Sequence, residues 1–338
     1  MPTASGVRRR RPLPTAAALG ILVVAALLAS LALGSRPIPF PEVLGALFGS
    51  DATDNATVVT SQRLPRTMLA LVAGTALGMA GALMQGHTRN PLADPGLFGV
   101  NAGAGFGVAV LVFGFGVASD SAIVLAALVG AGAVSVLVFV AGLNSMRGSA
   151  LVTLAILGTT AAALLTALTS ALIMLDRRTL DVLRFWEAGS LANPDTSTWW
   201  LVMPLIALGT ALALANGVSL RALALGEDVA QTLGSRVRTA RITGIAAITL
   251  LCGASTAVCG PIGFVGLVAP HAVRWAAGHD YRWLVPLAGL AGAVLLLAAD
   301  TLGRVLTRPG ELQAGIVMAA LGAPVLLAIT RRRRLVSL

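Results

Sequence analysis

Side chains able to do chemistry are scarce in this sequence. Asp300 is the clearest charge within an apolar run, near the end of the stretch 284–303. Pumps and ion-coupled carriers keep buried carboxylates or histidines in their pathways, and no such relay is legible around it. The three histidines, His87, His271 and His279, fall near helix ends expected on the cytoplasmic side. None has a convincing serine or carboxylate partner, so the buried catalytic pair of a membrane-embedded protease or lipid transferase is missing. Cys252 and Cys259 stand seven residues apart on one apolar stretch. That spacing separates them by about two helical turns, too far to bridge, and reads as core packing. All 24 basic residues are arginine. Without lysine there is no Walker A loop and no Schiff-base nucleophile. Any ATP must be used by a partner, and the energy source lies outside this chain.

The elements that position these residues are long and apolar. Residues 63–105 open on Arg63 and Arg66, run through about twenty apolar, glycine-rich positions, and close on the polar knot 89–95 before turning apolar again. Over 338 residues, 57% are hydrophobic and 11% charged, with a mean hydropathy of +0.87. Soluble domains carry roughly 25% charged residues, so this composition belongs in a bilayer. Ten runs suit spans: 14–34, 67–85, 96–116, 121–143, 149–174, 199–216, 240–259, 262–277, 284–303 and 313–330. Pro261, Pro270 and several glycines interrupt the eighth. The pattern predicts an all-α polytopic bundle, one transmembrane domain over 14–330 between basic tails 1–13 and 331–338. Gly74, Gly78 and Gly81, and Gly99, Gly103 and Gly107, form small-residue stripes that let helix backbones approach closely.

The net charge of +10 does not point to nucleic acid, because the arginines are distributed as the positive-inside rule requires. With ten spans, 16 arginines are cytoplasmic: Arg8–Arg11, Arg331–Arg334, Arg89, Arg147, Arg221, Arg236, Arg238, Arg241, Arg274 and Arg282. Eight lie outside: Arg36, Arg63, Arg66, Arg177, Arg178, Arg184, Arg304 and Arg308. Both termini are therefore expected in the cytoplasm. Ala32-Leu33-Gly34 is weakly cleavage-like, yet the first apolar run is long enough to be a retained helix. The outer segments are 35–62 and 175–198, the second suiting an amphipathic interfacial helix around Phe185-Trp186-Glu187. Trp199, Trp200 and Trp283 suit the interfacial aromatic belt. The inner segment 217–241 predicts two short helices, broken at Gly226 and C-capped at Gly234, with a partner-docking segment over 217–238.

Four blocks resemble the FecCD family, permease subunits of bacterial importers for iron-siderophores, haem and vitamin B12. They are R-x-P-R at 63–66 with Q-G-x-x-R-N-P-L-A-x-P at 85–95; L-G-E-D-V-A-Q-T-L-G at 225–234; G-P-I-G-F-V-G-L-V-A-P-H-A-V-R at 260–274; and A-D-T-L-G-R at 299–304 with L-G-A-P at 321–324. The resemblance implies a multi-pass protein of the bacterial inner membrane with ten helices. It also implies a second permease subunit, two ATP-binding subunits in the cytoplasm and a substrate-binding protein outside. ATP and its magnesium would be held by the partner, with no cofactor, metal or catalytic residue on this chain. Leu225, Gly226, Glu227, Asp228, Val229, Ala230, Leu233 and Gly234 would couple to the ATPase. Arg63, Arg66 and Arg304 would face acidic residues of the binding protein, with snorkelling to lipid headgroups as the alternative. Gln85, Asn90, Pro91, Pro95, Pro270, His271 and Arg274 would lie near the pathway or gate, the pathway being lined partly by spans five, eight and ten. On their chemistry alone, Pro91 and Pro95 also suit helix termination, Asn90 a cap, and Pro270-His271 a helix break.

One departure narrows this reading. Where many members have Glu-Leu-Pro-Ile-Gly, this chain has Glu311-Leu312-Gln313-Ala314-Gly315, preceded by Arg308-Pro309-Gly310. This looks like the ferric-enterobactin type, which works as half of a pair of unlike permeases. The resemblance therefore leans towards a ferric siderophore and an unlike partner, with a homodimer, a haem or cobalamin cargo and an ion-coupled carrier as alternatives.

Overall fold

The computed structural model describes residues 12–49, 53–144, 150–192, 196–223, 227–232 and 236–331. No strand occurs among the described residues, as the all-α expectation requires. A helix coincides with each expected span: α1 (Pro12–Ala32), α4 (Leu64–Thr88), α5 (Val100–Phe115), α6 (Asp120–Asn144), α7 (Ala150–Leu175), α9 (Trp199–Leu223), α11 (Val237–Cys259), α12 (Val265–Ala277), α13 (Tyr281–Leu306) and α14 (Ala314–Arg331). Among the described residues, eight helices are long and apolar enough to cross a membrane. The 16 residues of α5 and the 13 of α12 fall short of that length. Four smaller helices sit at the bundle ends: α2 (Phe40–Phe48), α3 (Asp54–Val58), α8 (Arg177–Glu187) and α10 (Glu227–Thr232). By the arginine distribution α2, α3 and α8 are expected outside and α10 in the cytoplasm.

Helices α4 and α13 form the centre, packed on each other, with α11 and α12 beside them. The glycine stripes explain how. A Cβ on Gly78 would sit 2.1 Å from the Ala288 carbonyl oxygen, and one on Gly74 2.6 Å from that of Gly292, both on α13. Gly81 meets Gly266 of α12 at 1.9 Å by the same measure. Gly103 and Gly107 of α5 do likewise with Gly130 and Ala126 of α6. Backbones this close maximise dispersion contact where lipid supplies no hydrophobic drive. The peripheral helices α1, α6, α7, α9 and α14 bury only a minority of their residues. Cys252 and Cys259 are buried and unbridged in α11.

Two local expectations need correction. Residues 217–223 are not a separate cytoplasmic helix; they continue α9. The stretch Val218–Leu223 contains no breaker, and Leu220 and Leu223 bury against the bundle. Among the described residues of the inner segment, α10 alone stands apart. Leu225, Gly226, Leu233 and Gly234, with both basic tails, lie outside the described residues. Pro270 does not break α12 but lies inside it, for a reason found in the neighbouring helix.

Candidate functional site

At the outer end the chain's charges converge. Arg66, at the start of α4, donates from Nη2 and Nε to Asp300 Oδ1 at 2.8 and 2.9 Å and from Nη1 to Glu311 Oε2 at 2.6 Å. Arg304, one turn after Asp300 on α13, places Nε 3.1 Å from Asp300 Oδ2. Its other nitrogens donate to the Ser30 and Leu33 carbonyls of α1 and its exit, both at 3.1 Å, and to Ser30 Oγ at 2.9 Å. Arg63 donates to the Leu31 and Ala32 carbonyls at 2.7 and 2.9 Å, and to that of Arg36. The Leu31 and Ala32 groups are orphan carbonyls at the end of α1, which carry the negative end of its dipole.

The expected exposed docking surface of Arg63, Arg66 and Arg304 is therefore not what these side chains form. They are 6%, 8% and 3% exposed and turned inward. For Arg66 and Arg304 the cause is Asp300, fully buried in α13: an unpaired carboxylate there would be prohibitively costly, and these two guanidiniums share it. Arg63 is instead drawn to the carbonyls at the end of α1. Arginines left exposed at this end include Arg36, Arg177, Arg178 and Arg308.

A second constellation joins α4 to α12. Proline at 270 has no N–H, so the carbonyl of Gly266 loses its helical donor. Gln85 Nε2 approaches that carbonyl at 3.3 Å and the Leu267 carbonyl at 3.4 Å. Gln85 Oε1 accepts from Arg274 Nη1 at 2.5 Å, with both side chains buried. Pro95 wedges beside Gly266, where a Cβ would stand 2.7 Å from the proline ring. Gln85, Pro95, Pro270 and Arg274 are thus brought together. Asn90 and Pro91 are set apart in the turn after α4. Arg89 closes that helix in the left-handed conformation (φ 49°) and donates to the Leu223 carbonyl of α9 at 2.8 Å. Asn90 Oδ1 accepts from Leu92 N at 3.0 Å, an Asx turn, and Asp94 Oδ1 caps Gly96 N at 2.9 Å. His271 is half-buried on α12, tilted against Trp275 with ring centroids 6.3 Å apart.

Two features escaped sequence reasoning. His87 Nε2 pairs with Asn216 Oδ1 at 2.8 Å, and Asn216 Nδ2 donates to the Ala240 carbonyl at 2.6 Å and to Thr243 Oγ1 at 2.8 Å, tying α4, α9 and α11 together. A lone Asn in an apolar helix was the available signal. The Asp300 pairings were legible in part, since Arg304 follows it at helical spacing. At the inner end, α10 exposes Val229 and buries Ala230, while the side chains of Glu227 and Asp228 lie outside the described residues. On the flanks the exposed faces are mixed. Exposed positions of α7 include Thr159, Thr160, Thr166 and Ser170, and those of α14 include Ala319, Ala320, Ala323 and Ala328. Large hydrophobics are exposed on all four flanking helices, including Leu125 and Val129 on α6, Ile156 and Leu164 on α7, Trp200 and Leu208 on α9, and Ile316 and Leu327 on α14.

The model of the FecCD transport family matches residues 21–332. The chain is 46% identical over 319 residues, 93% of both chains, to the ferric enterobactin transport system permease protein FepD of Escherichia coli strain K12. It is 39% identical to the Fe(3+)-citrate import system permease protein YfmD of Bacillus subtilis strain 168, over 90% of both chains. It superposes with a TM-score of 0.82 on a structure described as an inward-facing conformation of a putative metal-chelate type ABC transporter, at 27% identity, covering 95% of this chain and 99% of that one.

Proposed function

The chain belongs to the FecCD transport family, and we propose that it is the permease half of an ABC importer carrying a ferric siderophore across the inner membrane. The observation that carries this reading is the 46% identity to a ferric enterobactin permease over nearly the whole of both chains. Members of this family of membrane permeases work with a second permease, ATPases and a binding protein. For this chain the second permease is an unlike paralogue, a choice resting on Gln313 where a proline is common in the family.

ATP is hydrolysed in the cytoplasmic partner and reaches this chain through 225–234. The arrangement of α10 supports this. It is a short helix between α9 and α11, it presents Val229 to its surroundings, and α9 is held to α4 by the Arg89 bond. Cargo passes along the faces of α7, α12 and α14. The support is the family resemblance; α7 adds exposed hydroxyls, Thr159, Thr160, Thr166 and Ser170, among its apolar side chains, and α14 adds small residues that admit a partner helix. The bond of Gln85 to Arg274, with Pro270 inside α12, fixes the slope of α12 against α4 beside that path. At the outer end Arg63, Arg66 and Arg304 serve docking of the binding protein from beneath. They hold the 33–36 loop and Glu311, while Arg36 and Arg308 meet the partner's carboxylates.

Reconstitution tests the reading. This chain, the second permease, the ATPase and the binding protein in proteoliposomes should take up ⁵⁵Fe-enterobactin only with hydrolysable ATP. Replacing Glu227 and Leu233 together should abolish uptake at normal membrane insertion. Uptake driven by an ion gradient without ATP would refute it.

A further inference from the structure

Helix α2 carries an apolar stripe that the bundle does not use. Its nine residues pack Val43 and Ala46 onto a small outer core of Leu31, Ile38, Ala56 and Val59. Glu42 accepts from Asn55 Nδ2 at 2.6 Å, so its acidic group faces α3. Phe40, Leu44, Leu47 and Phe48 recur at helical spacing and form a different face. They are exposed, Phe48 at 84% and Phe40 at 45%. A monomer rarely leaves such a contiguous aromatic stripe in water.

We propose that this stripe lies in the outer leaflet, so that α2 is an interfacial helix anchoring the 35–62 segment to lipid. Three observations choose lipid over a protein partner. The stripe adjoins an apolar helix: Leu33 at the exit of α1 is exposed, and Ile21, Leu22 and Val24 are exposed nearer its start, with residues 26–32 between them covered or half-covered. Its depth is fixed, because Ile38 N donates to the Ala32 carbonyl at 3.0 Å and holds the start of α2 beside the end of α1. The 21 residues of α1 span about 31 Å, the thickness of the hydrocarbon core, so α2 begins at its outer boundary. The stripe also has no hydrogen-bonding group, whereas a protein interface of this kind carries a polar rim. The polar exposed residues of this segment flank α2, among them Ser35 and Arg36 before it, and Asp54, Thr57, Thr60 and Ser61 on α3 and the π-helical turn after it. That division of apolar and polar surface is the mark of a helix lying in the membrane plane.

The test uses the assembled transporter in nanodiscs of phosphatidylethanolamine and phosphatidylglycerol. Nitroxide labels on Phe40→Cys, Leu44→Cys and Phe48→Cys, made with Cys252 and Cys259 replaced by alanine, should relax more strongly with oxygen than with a water-soluble nickel chelate. A label on Ser61→Cys should show the reverse. Unmodified protein exposed to a diazirine phospholipid should carry adducts within 40–48, which needs no variant. Labels on α2 that favour the nickel chelate, or that lose access to both reagents only when the binding protein is added, would overturn the proposal. So would the absence of adducts in that fragment.

Discussion

A single buried carboxylate organises the outer end of this molecule. Asp300 draws Arg66 and Arg304 into the bundle, and Arg304 together with Arg63 then holds the end of α1 by its carbonyls. Asp300→Asn should cost roughly 3–5 kcal/mol, because it leaves buried guanidinium charge short of a partner. Thermal unfolding of the detergent-solubilised transporter would read this, and an unchanged midpoint would show that the cluster is adventitious. The Gln85 site makes a sharper prediction. Gln85→Leu leaves Arg274 short of an acceptor and Gly266 short of a donor, at a cost of about 1–3 kcal/mol. Pro270→Ala supplies an N–H to the Gly266 carbonyl, so when combined with Gln85→Leu it should recover part of that loss. The pair should therefore be coupled by about 0.5–3 kcal/mol in a double-mutant cycle. Additive effects would dissociate the proline from the glutamine.

Among the elements, close approach is selective. Gly81→Ala would drive a methyl into the Gly266 backbone, where neither helix can yield cheaply. Destabilisation of about 1–3 kcal/mol or more follows from overpacking. Gly132, in the open flank of α6, has nothing within 4 Å of its added Cβ. Gly132→Ala should instead stabilise by about 0.5–1 kcal/mol, through lost chain entropy. The two variants side by side test whether glycines serve as contacts or merely reflect composition. For α10, Val229→Asp should reduce siderophore-stimulated ATP hydrolysis while leaving unfolding unchanged, because the side chain is exposed on a short peripheral helix. A fall in stability without uncoupling would assign α10 to the core.

For the whole molecule, the exposed faces mark what is missing from one chain. The flanking helices α6, α7, α9 and α14 all leave large apolar side chains exposed, as helices facing lipid or a partner helix do. Because Gln313 stands where a proline is common in the family, mass spectrometry of the purified transporter should find a second permease of different sequence beside this chain and its ATPase. Full uptake restored by this chain as the sole permease would establish a homodimer. At the outer face, Arg36→Glu with Arg308→Glu should weaken binding-protein association and flatten its salt dependence at unchanged stability. Arg66→Glu should unfold the outer cluster first. Equal affinity in the Arg36 and Arg308 variant would place docking elsewhere.

Helix positions were legible because bilayer thickness and apolar periodicity act locally: each span declares itself by twenty or so residues of composition. The glycine stripes were legible for the same reason, and Gly74, Gly78, Gly81, Gly103 and Gly107 meet α13, α12 and α6 backbones as tight packing requires, whereas Gly99 is the left-handed cap before α5. The four motif blocks were enough to suggest the family. Sequence alone could not say which way an arginine at a helix end turns. Arg63, Arg66 and Arg304 read as outer-surface charges until Asp300, 234 residues after Arg66, was placed beside it. Nor could it say that Pro270 continues a helix, since the group that satisfies Gly266 comes from α4. The local rule for proline counts only its own helix. Burial and pairing are properties of what folding brings near, and in a bundle with so few charges each distant partner decides the role of the other.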